Sequence, residues 1–203
     1  MTVLRVVVLA IAVLIAATGC EPQPSTINQF SGPLDAPRVV VFGDSLTTWA
    51  GATAIPLFDA WQLSYNSVPG TTVADWFAPL PEVPSDAIVV MALGTNDART
   101  QTMAETRTDV DTALASLAHV RCVVWVTPSQ YSAVARGWPY DVRTHDLDEY
   151  LRSRTQPNLV LAEWSVAANG HPEYLTPDLV HHTDAGNQAY AATLAAAPGE
   201  CPT

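Results

Sequence analysis

Short polar segments of this sequence contain the side chains that a nucleophile and its supporting groups would need. The first segment is GDSL at residues 43–46, where a serine follows a glycine at the end of an apolar run. On a tight turn from strand to helix, Ser45 would be pushed out of the sheet, close to the N–H groups of the helix N-terminus. Because Asp and Ser are also common helix caps, this segment alone is equally consistent with a cap that has no chemistry.

A base for this serine lies near the C-terminus, in the segment DLVHH at residues 178–182. A serine hydroxyl is a poor nucleophile unless a base lies within hydrogen-bond reach, and histidine titrates near neutral pH. Asp178 precedes His181 by three residues, so its carboxylate can fold back within one turn and orient the imidazole. We therefore predict that His181, rather than His182, meets Ser45. Asp184 is a rival orienting acid, but its position is more typical of a helix cap.

Two further segments supply candidate hydrogen-bond donors to a developing oxyanion. The segment GTND at residues 94–97 follows a second apolar run, and its Asn96 carries a side-chain amide. One such donor in a dry site stabilises a transition state by roughly 3–4 kcal/mol. Gly70 follows a short strand candidate and is a candidate backbone donor. Both segments are also typical of plain turns, so neither identifies a site by itself.

The apolar runs that precede these segments predict a parallel sheet. They are short, rich in β-branched residues and apolar on both faces, which is typical of strands covered on both sides. The strand candidates are residues 39–42, 63–68, 88–93, 123–126 and 159–162, and the helix candidates are 103–119, 141–154 and 185–197. Alternating strands and helices predict βαβ units, and such sheets bind ligands beyond the carboxyl ends of their strands.

The four segments, taken in order, resemble the four sequence blocks of the SGNH, or GDSL-type, hydrolases, and they span nearly the whole predicted domain. The resemblance implies a three-layer α/β/α sandwich, flavodoxin-like, with a mostly parallel five-stranded sheet. It implies that Ser45 is the nucleophile and that His181, oriented by Asp178, is the base. It also implies an oxyanion hole formed by the Ser45 N–H, the Gly70 N–H and the Asn96 amide.

The activity expected from this resemblance is ester hydrolysis through an acyl-Ser45 intermediate. The expected substrates are small acyl esters, such as O-acetyl groups on glycans or short acyl lipids. An envelope O-acyltransferase is the nearest alternative, because its chemistry is identical until a sugar hydroxyl replaces water. A third hypothesis is a non-catalytic glycan-binding lipoprotein, since a fold alone does not prove activity. The presence of every expected catalytic residue argues against this third hypothesis.

Composition excludes several other classes of function. The formal net charge is −11, and all nine basic residues are arginines. Without lysine, a Walker-type phosphate lysine and a Schiff-base lysine are both excluded. The acidic balance argues against binding to nucleic acid, which requires a basic surface. The resemblance to the SGNH hydrolases implies neither a metal nor an organic cofactor, and we expect a monomer that binds a small acyl-ester or glycan substrate.

The N-terminus predicts export. Arg5 precedes an apolar run at residues 6–17, which is of signal-peptide length and too short for a comfortable membrane span. The segment ATGC at residues 17–20 resembles the lipobox of bacterial lipoproteins, so Cys20 is the expected lipidation site. We predict a signal peptide over 1–19, an anchor and flexible tether over 20–37, and the hydrolase domain over 38–203. The protein would lie on the outer face of the bacterial cell membrane, or be secreted after ordinary cleavage.

Two further predictions concern pocket residues and cysteines. Trp49 and Thr71 follow the first two polar segments, while Gln130 and Tyr131 follow the fourth main strand, so these four residues are candidates for the substrate pocket. Cys122 begins a strand and Cys201 follows the last helix, which places both at the face opposite the site. In an exported protein this pair is predicted to form a disulfide, although two free thiols are the alternative.

Overall fold

A computed structural model describes residues 26–77, 82–129 and 140–202 of the chain. Its centre is a six-stranded sheet in the order β1-β3-β2-β4-β5-β6. The strands are β1 (Ile27–Ser31), β2 (Arg38–Gly43), β3 (Gln62–Ser67), β4 (Ile88–Ala92), β5 (Cys122–Val126) and β6 (Leu159–Ala162). Strand β1 pairs with β3 in antiparallel orientation, and the other four pairings are parallel. The predicted mostly parallel sheet is therefore confirmed.

Helices cover both faces of this sheet. They are α1 (Ser45–Ala54), α2 (Thr95–Thr100), α3 (Met103–Ser116), α4 (Tyr140–Arg152), α5 (Trp164–Asn169) and α6 (Asp184–Ala196). Helices α1, α5 and α6 pack into one hydrophobic cluster with one face of the sheet, while α3 and α4 pack into a second cluster on the other face. Every residue of β4 and β5 is buried, because these central strands are covered from both sides. The three-layer α/β/α architecture is confirmed.

The strand count and the start of the fold differ from the prediction. Residues 27–31 lie in the predicted tether, but they form β1 along the edge of β3, so the sheet has six strands instead of five. The three central residues of β1 are exposed, so its sequence carries little apolar periodicity. The strand forms because the free backbone groups of the β3 edge can be paired, and because Ile27 packs against the core cluster beside α1.

The predicted disulfide is present between Cys122 and Cys201. Their Cα atoms lie 6.0 Å apart, and the bond links the start of β5 to the residues that follow α6. Both cysteines are buried. The bond therefore connects the C-terminus of the chain to the amino end of a central strand, on the side of the sheet opposite Ser45.

Removal of this bond should lower stability measurably. The bridge closes a loop with a sequence separation of 79 residues, and the chain-entropy model assigns about 4 kcal/mol to a loop of this length. For a domain of this size that corresponds to a fall in Tm of roughly 8–16 °C. Thermal unfolding of the double variant Cys122→Ala, Cys201→Ser measures this change. Reductant should lower the Tm of the wild type by a similar amount and leave the variant unchanged; equal Tm values for wild type and variant would contradict the prediction.

Among the described residues, no helix has both the length and the apolar character that a membrane span requires.

Candidate active site

Three side chains from distant parts of the chain meet in one hydrogen-bonded row. The Ser45 hydroxyl oxygen lies 3.1 Å from Nε2 of His181, and Nδ1 of His181 lies 2.7 Å from Oδ2 of Asp178. Nδ1 donates to the Asp178 carboxylate in the tautomer whose Nε2 accepts from the serine hydroxyl. This is the geometry in which an imidazole can remove a serine proton.

Ser45 is positioned by the turn between β2 and α1. It is the first residue of α1, and Asp44 caps the helix by accepting a 2.9 Å hydrogen bond from the Leu46 N–H. The turn is tight, since a Cβ at Gly43 would overlap the side chain of Thr47. A glycine is therefore required where the chain leaves the strand, and the serine hydroxyl remains only partly buried.

Asp178 and His181 are positioned by a loop that closes on itself before α6. The Thr176 N–H donates to the His181 carbonyl at 2.8 Å, and Leu179 adopts a left-handed φ of 62° between the two catalytic candidates. Oδ1 of Asp178 accepts from the backbone N–H groups of Val180 and His181, each at 2.9 Å. One carboxylate oxygen thus folds the loop while the other holds the imidazole.

These contacts also determine the charge of Asp178. Partial burial opposes ionisation, but the hydrogen bonds from the His181 ring, from two backbone N–H groups and from the Thr176 hydroxyl outweigh it. The pKa of Asp178 is therefore held well below its usual range. The carboxylate remains charged at any pH at which His181 could act as a base, so it can stabilise an imidazolium.

Asn96 lies at the carboxyl end of β4, in the first turn of α2, and is buried. Its Nδ2 donates to the Thr71 carbonyl at 3.0 Å and makes a longer, 3.4 Å contact with Oδ2 of Asp44. Gly70 is exposed and has a left-handed φ of 83°, a conformation that favours glycine, and no atom lies within 4 Å of the place where its Cβ would be. The segments that carry Gly70 and Asn96 are thus joined through Thr71.

The electrostatics of Asp44 leave one N–H of Asn96 weakly held. Burial, only partly offset by the Leu46 N–H, raises the pKa of Asp44 to about 7. Burial likewise raises the pKa of the neighbouring Asp97 to about 6. A substantial fraction of Asp44 is therefore uncharged near neutral pH, and a neutral carboxyl group is a weaker acceptor than a carboxylate. The 3.4 Å contact with Asp44 is therefore the weaker of the two contacts made by the Asn96 amide.

Replacement of Asn96 by alanine should lower kcat with little effect on KM. Removal of one oxyanion donor costs about 10²–10³-fold in kcat, because the bond strengthens as the carbonyl oxygen becomes negative. Steady-state hydrolysis of p-nitrophenyl acetate measures both constants. Thermal unfolding of the same variant shows whether the fold survives the loss of the Thr71 contact. A folded variant whose kcat lies within about threefold of wild type would contradict the role of Asn96.

The structure separates the two adjacent histidines. His182 is 2% exposed, and its ring packs against Trp164 and Tyr190 with centroid separations of 5.0 and 4.8 Å. Burial lowers the pKa of His182 to about 4, so it is neutral and cannot place a positive charge beside His181. Only His181 meets Ser45, as predicted. The prediction that Asp184 caps α6 is wrong, because the cap is the Thr183 hydroxyl, which accepts from the Gly186 N–H.

Of the four candidate pocket residues, the structure describes two, Trp49 and Thr71. Trp49 contacts the site directly, since its ring stacks on the imidazole of His181. Thr71 is used by its own loop: its hydroxyl donates to the Val68 carbonyl at 2.8 Å and accepts from the Trp76 indole N–H at 3.1 Å. Gln130 and Tyr131 lie outside the described residues, as do Cys20 and the predicted signal peptide.

A groove of about 760 Å³ lies elsewhere, over the face of β2 and β3. It is lined by residues such as Val40, Phe42, Ser64 and Trp76, and neither Ser45 nor His181 reaches it. The row of Ser45, His181 and Asp178 therefore lies apart from this groove. In the described part of the chain, no group of three or more His, Cys, Asp or Glu side chains is arranged to hold a metal ion.

Comparison of the sequence with known proteins gives a match over part of the chain. No protein-family model matches the chain. A 61-residue stretch is 38% identical to the peptidoglycan O-acetyltransferase OatA of Listeria monocytogenes, and it spans 30% of this chain and 9% of that protein.

Three solved structures superpose over most of the molecule. A protein of Slackia heliotrinireducens assigned to the SGNH hydrolases has a TM-score of 0.64 at 20% identity, with 81% of this chain and all of that chain covered. The catalytic domain of Streptococcus pneumoniae OatA has a TM-score of 0.60 at 22% identity, covering 81% and 93%. The acetylxylan esterase Axe2 of Geobacillus stearothermophilus has a TM-score of 0.61 at 16% identity, covering 84% and 94%. The chain therefore has the fold of the SGNH hydrolases, as its sequence blocks predicted.

Proposed function

We propose that this protein is a serine esterase that hydrolyses small acyl esters, with O-acetyl groups on glycans as the leading substrate class. The observation that carries the proposal is the row of Ser45, His181 and Asp178, joined at 3.1 and 2.7 Å. The acetylxylan esterase and the two O-acetyltransferases among the similar proteins support an acetyl ester of a sugar as the substrate.

In the first half-reaction, the Ser45 oxygen attacks the ester carbonyl carbon while Nε2 of His181 takes the hydroxyl proton. The Asn96 amide, with the N–H groups of Ser45 and Gly70, stabilises the negative oxygen of the tetrahedral intermediate. The ester C–O bond then breaks, and His181 returns the proton to the departing alcohol, leaving acyl-Ser45.

In the second half-reaction, His181 removes a proton from a water molecule that attacks the acyl carbon. The bond to the Ser45 oxygen breaks, the serine regains its proton, and the free acid leaves. Asp178 keeps the imidazole in the required tautomer through both halves and remains charged throughout.

An O-acetyltransferase is a second candidate, and the 38% identity to Listeria OatA over 61 residues is the observation that favours it. The two activities share the acyl-Ser45 intermediate and differ in whether water or a sugar hydroxyl accepts the acyl group. The choice depends on how the site binds an acceptor and excludes water, and not on the three residues of the row.

The two activities are distinguished by how acyl-Ser45 partitions between water and a sugar hydroxyl. The purified protein is given p-nitrophenyl acetate with and without a peptidoglycan-derived or xylan-derived oligosaccharide, and acetate and acetylated sugar are both quantified. An esterase releases acetate at a rate that the oligosaccharide does not change, whereas a transferase forms acetyl sugar at the expense of acetate. Absence of both products, together with no labelling by a fluorophosphonate probe, would contradict the proposal and favour a binding protein.

We further propose that the protein is exported and anchored by lipid at Cys20, so that the domain acts outside the cell membrane. The support is the apolar run at residues 6–17 followed by the lipobox-like segment ATGC. Metabolic labelling with an alkyne fatty acid should mark the wild type but not Cys20→Ser. Equal labelling of both proteins, or none in either, would contradict the anchor.

A further inference from the structure

The imidazole of His181 is contacted on one face as well as along its edge. The ring of Trp49 lies parallel to it, with a centroid separation of 4.5 Å and an interplanar angle of 20°. The two ring nitrogens are meanwhile held by Ser45 and Asp178. The hydrogen bonds at the two nitrogens determine which atoms the edge of the imidazole faces. The stacked indole limits rotation of the imidazole out of its plane.

Helix α1 supplies two of these contacts. Trp49 follows Ser45 by four residues in α1, and residues four apart lie on the same face of a helix. The helix is held rigidly, because Leu46, Ala50 and Ala54 are buried against the sheet. The nucleophile and the stacking ring are therefore carried by one rigid element, so their positions relative to the imidazole are determined together.

The chemistry of the reaction adds a second reason for an aromatic ring at this place. His181 becomes positively charged when it accepts the serine proton, and the face of an indole attracts a cation more strongly than the faces of the other aromatic side chains. Half-burial of Trp49 also excludes water from that side of the imidazole, which strengthens the attraction. The ring thus contacts the base where positive charge develops.

We propose that Trp49 is a positioning residue for the base: its indole stacks on His181, keeps the imidazole in line with Ser45 and Asp178, and stabilises the imidazolium. The inference rests on the proposed function of that row. It differs from the sequence-based hypothesis that Trp49 is a wall of the substrate pocket, because a wall acts on substrate affinity while a positioning residue acts on the chemical step.

The test compares Trp49→Leu, Trp49→Phe and the wild type of the full chain with p-nitrophenyl acetate. Leucine keeps an apolar side chain but removes the aromatic face, so kcat should fall about 10- to 30-fold while KM stays within about twofold. Phenylalanine restores a flat ring with a weaker attraction for cations and should recover most of the loss. The matched control is Trp61→Leu, because Trp61 is also half-buried but precedes β3 at the opposite end of the sheet. This control should leave kcat unchanged.

A spectroscopic measurement tests the stacking independently of turnover. The ring current of Trp49 should shift the carbon-bound ring protons of His181 to high field in the NMR spectrum, and the shift should disappear in Trp49→Leu but persist in Trp61→Leu.

Two results would overturn the inference: a rise in KM at unchanged kcat, which makes Trp49 a pocket wall, or a fully active Trp49→Leu. A wild type without activity toward any ester would instead contradict the proposed function. Failure of the inference about Trp49 and failure of the proposed function are therefore distinguishable.

Discussion

Replacement of Ser45 by alanine is expected to lower kcat for p-nitrophenyl acetate by at least about 10⁴-fold, because no acyl-enzyme can then form. His181→Ala should cost nearly as much, since the hydroxyl that lies 3.1 Å from Nε2 loses its base. The double variant should be scarcely worse than either single variant, because residues that act as one unit show strongly non-additive effects. Initial rates at saturating substrate, with fluorophosphonate labelling followed by mass spectrometry, measure these losses.

The chain contains a matched control for the histidine. His171 also lies beside an acid, with its Nδ1 2.8 Å from Oε1 of Glu173, but this pair is exposed and is not joined to Ser45. His171→Ala should therefore retain wild-type kcat and labelling. If Ser45→Ala kept more than about one per cent of wild-type kcat, or if the probe labelled another serine, Ser45 would not be the nucleophile.

Replacement of Asp178 by asparagine should produce a loss of about 10³–10⁴-fold in kcat, smaller than that of Ser45→Ala or His181→Ala. Asparagine nearly preserves the shape of the side chain but removes its charge, so it no longer stabilises the imidazolium. Its amide can also donate to Nδ1, which would select the wrong tautomer of His181. Steady-state kinetics of Asp178→Asn measures the loss, and KM should change little because Asp178 does not contact the acyl group in the proposed mechanism.

The pH dependence follows from the direction of the shift in the pKa of Asp178. Its pKa in the folded protein lies below the unfolded value, so its contribution to stability is fully present above the unfolded value and is lost as the pH falls through the folded value. The stability advantage that the Asp178 carboxylate gives the wild type over Asp178→Asn should therefore be constant above about pH 5 and should shrink as the pH falls below about 4. Thermal unfolding of both proteins across this pH range measures the difference, and a stability difference that does not change as the pH falls below about 4 would contradict the lowered pKa of Asp178. Thermal unfolding at pH 7 verifies that the variant is folded.

The candidate site residues could be predicted because their chemistry restricts them to a few types and because Ser45 and Asn96 each follow an apolar run. Ser45 and Asn96 follow β2 and β4, whose carboxyl ends a parallel sheet brings to one edge, whereas His181 was grouped with them by the resemblance to the SGNH hydrolase blocks. Asp178 could be paired with His181 because a separation of three residues allows contact within a single turn. Disulfide pairing also followed from strand direction, since it requires only that both cysteines lie at the opposite end.

Other features could not be predicted from the sequence, because they depend on contacts between distant segments and leave no pattern in the local sequence. Strand β1 has exposed central residues and forms because the edge of β3 offers unpaired backbone groups. The capping of α6 by Thr183 was missed because both Thr183 and Asp184 are suitable cap residues, and only the backbone geometry selects between them. The raised pKa of Asp44 depends on burial between elements that the sequence does not show to be adjacent.

The stacking of Trp49 on His181 illustrates the difference between what the sequence determines and what only the tertiary structure decides. By itself, the sequence determined that a serine and an amide follow strands of an α/β sheet and that an acid–histidine pair precedes its last helix, because residue types and periodicity are local properties of the chain. Only the tertiary structure decided which ring faces the indole, which histidine is buried and which segment completes the sheet. Those outcomes depend on packing and desolvation, which are set by residues far apart in the chain.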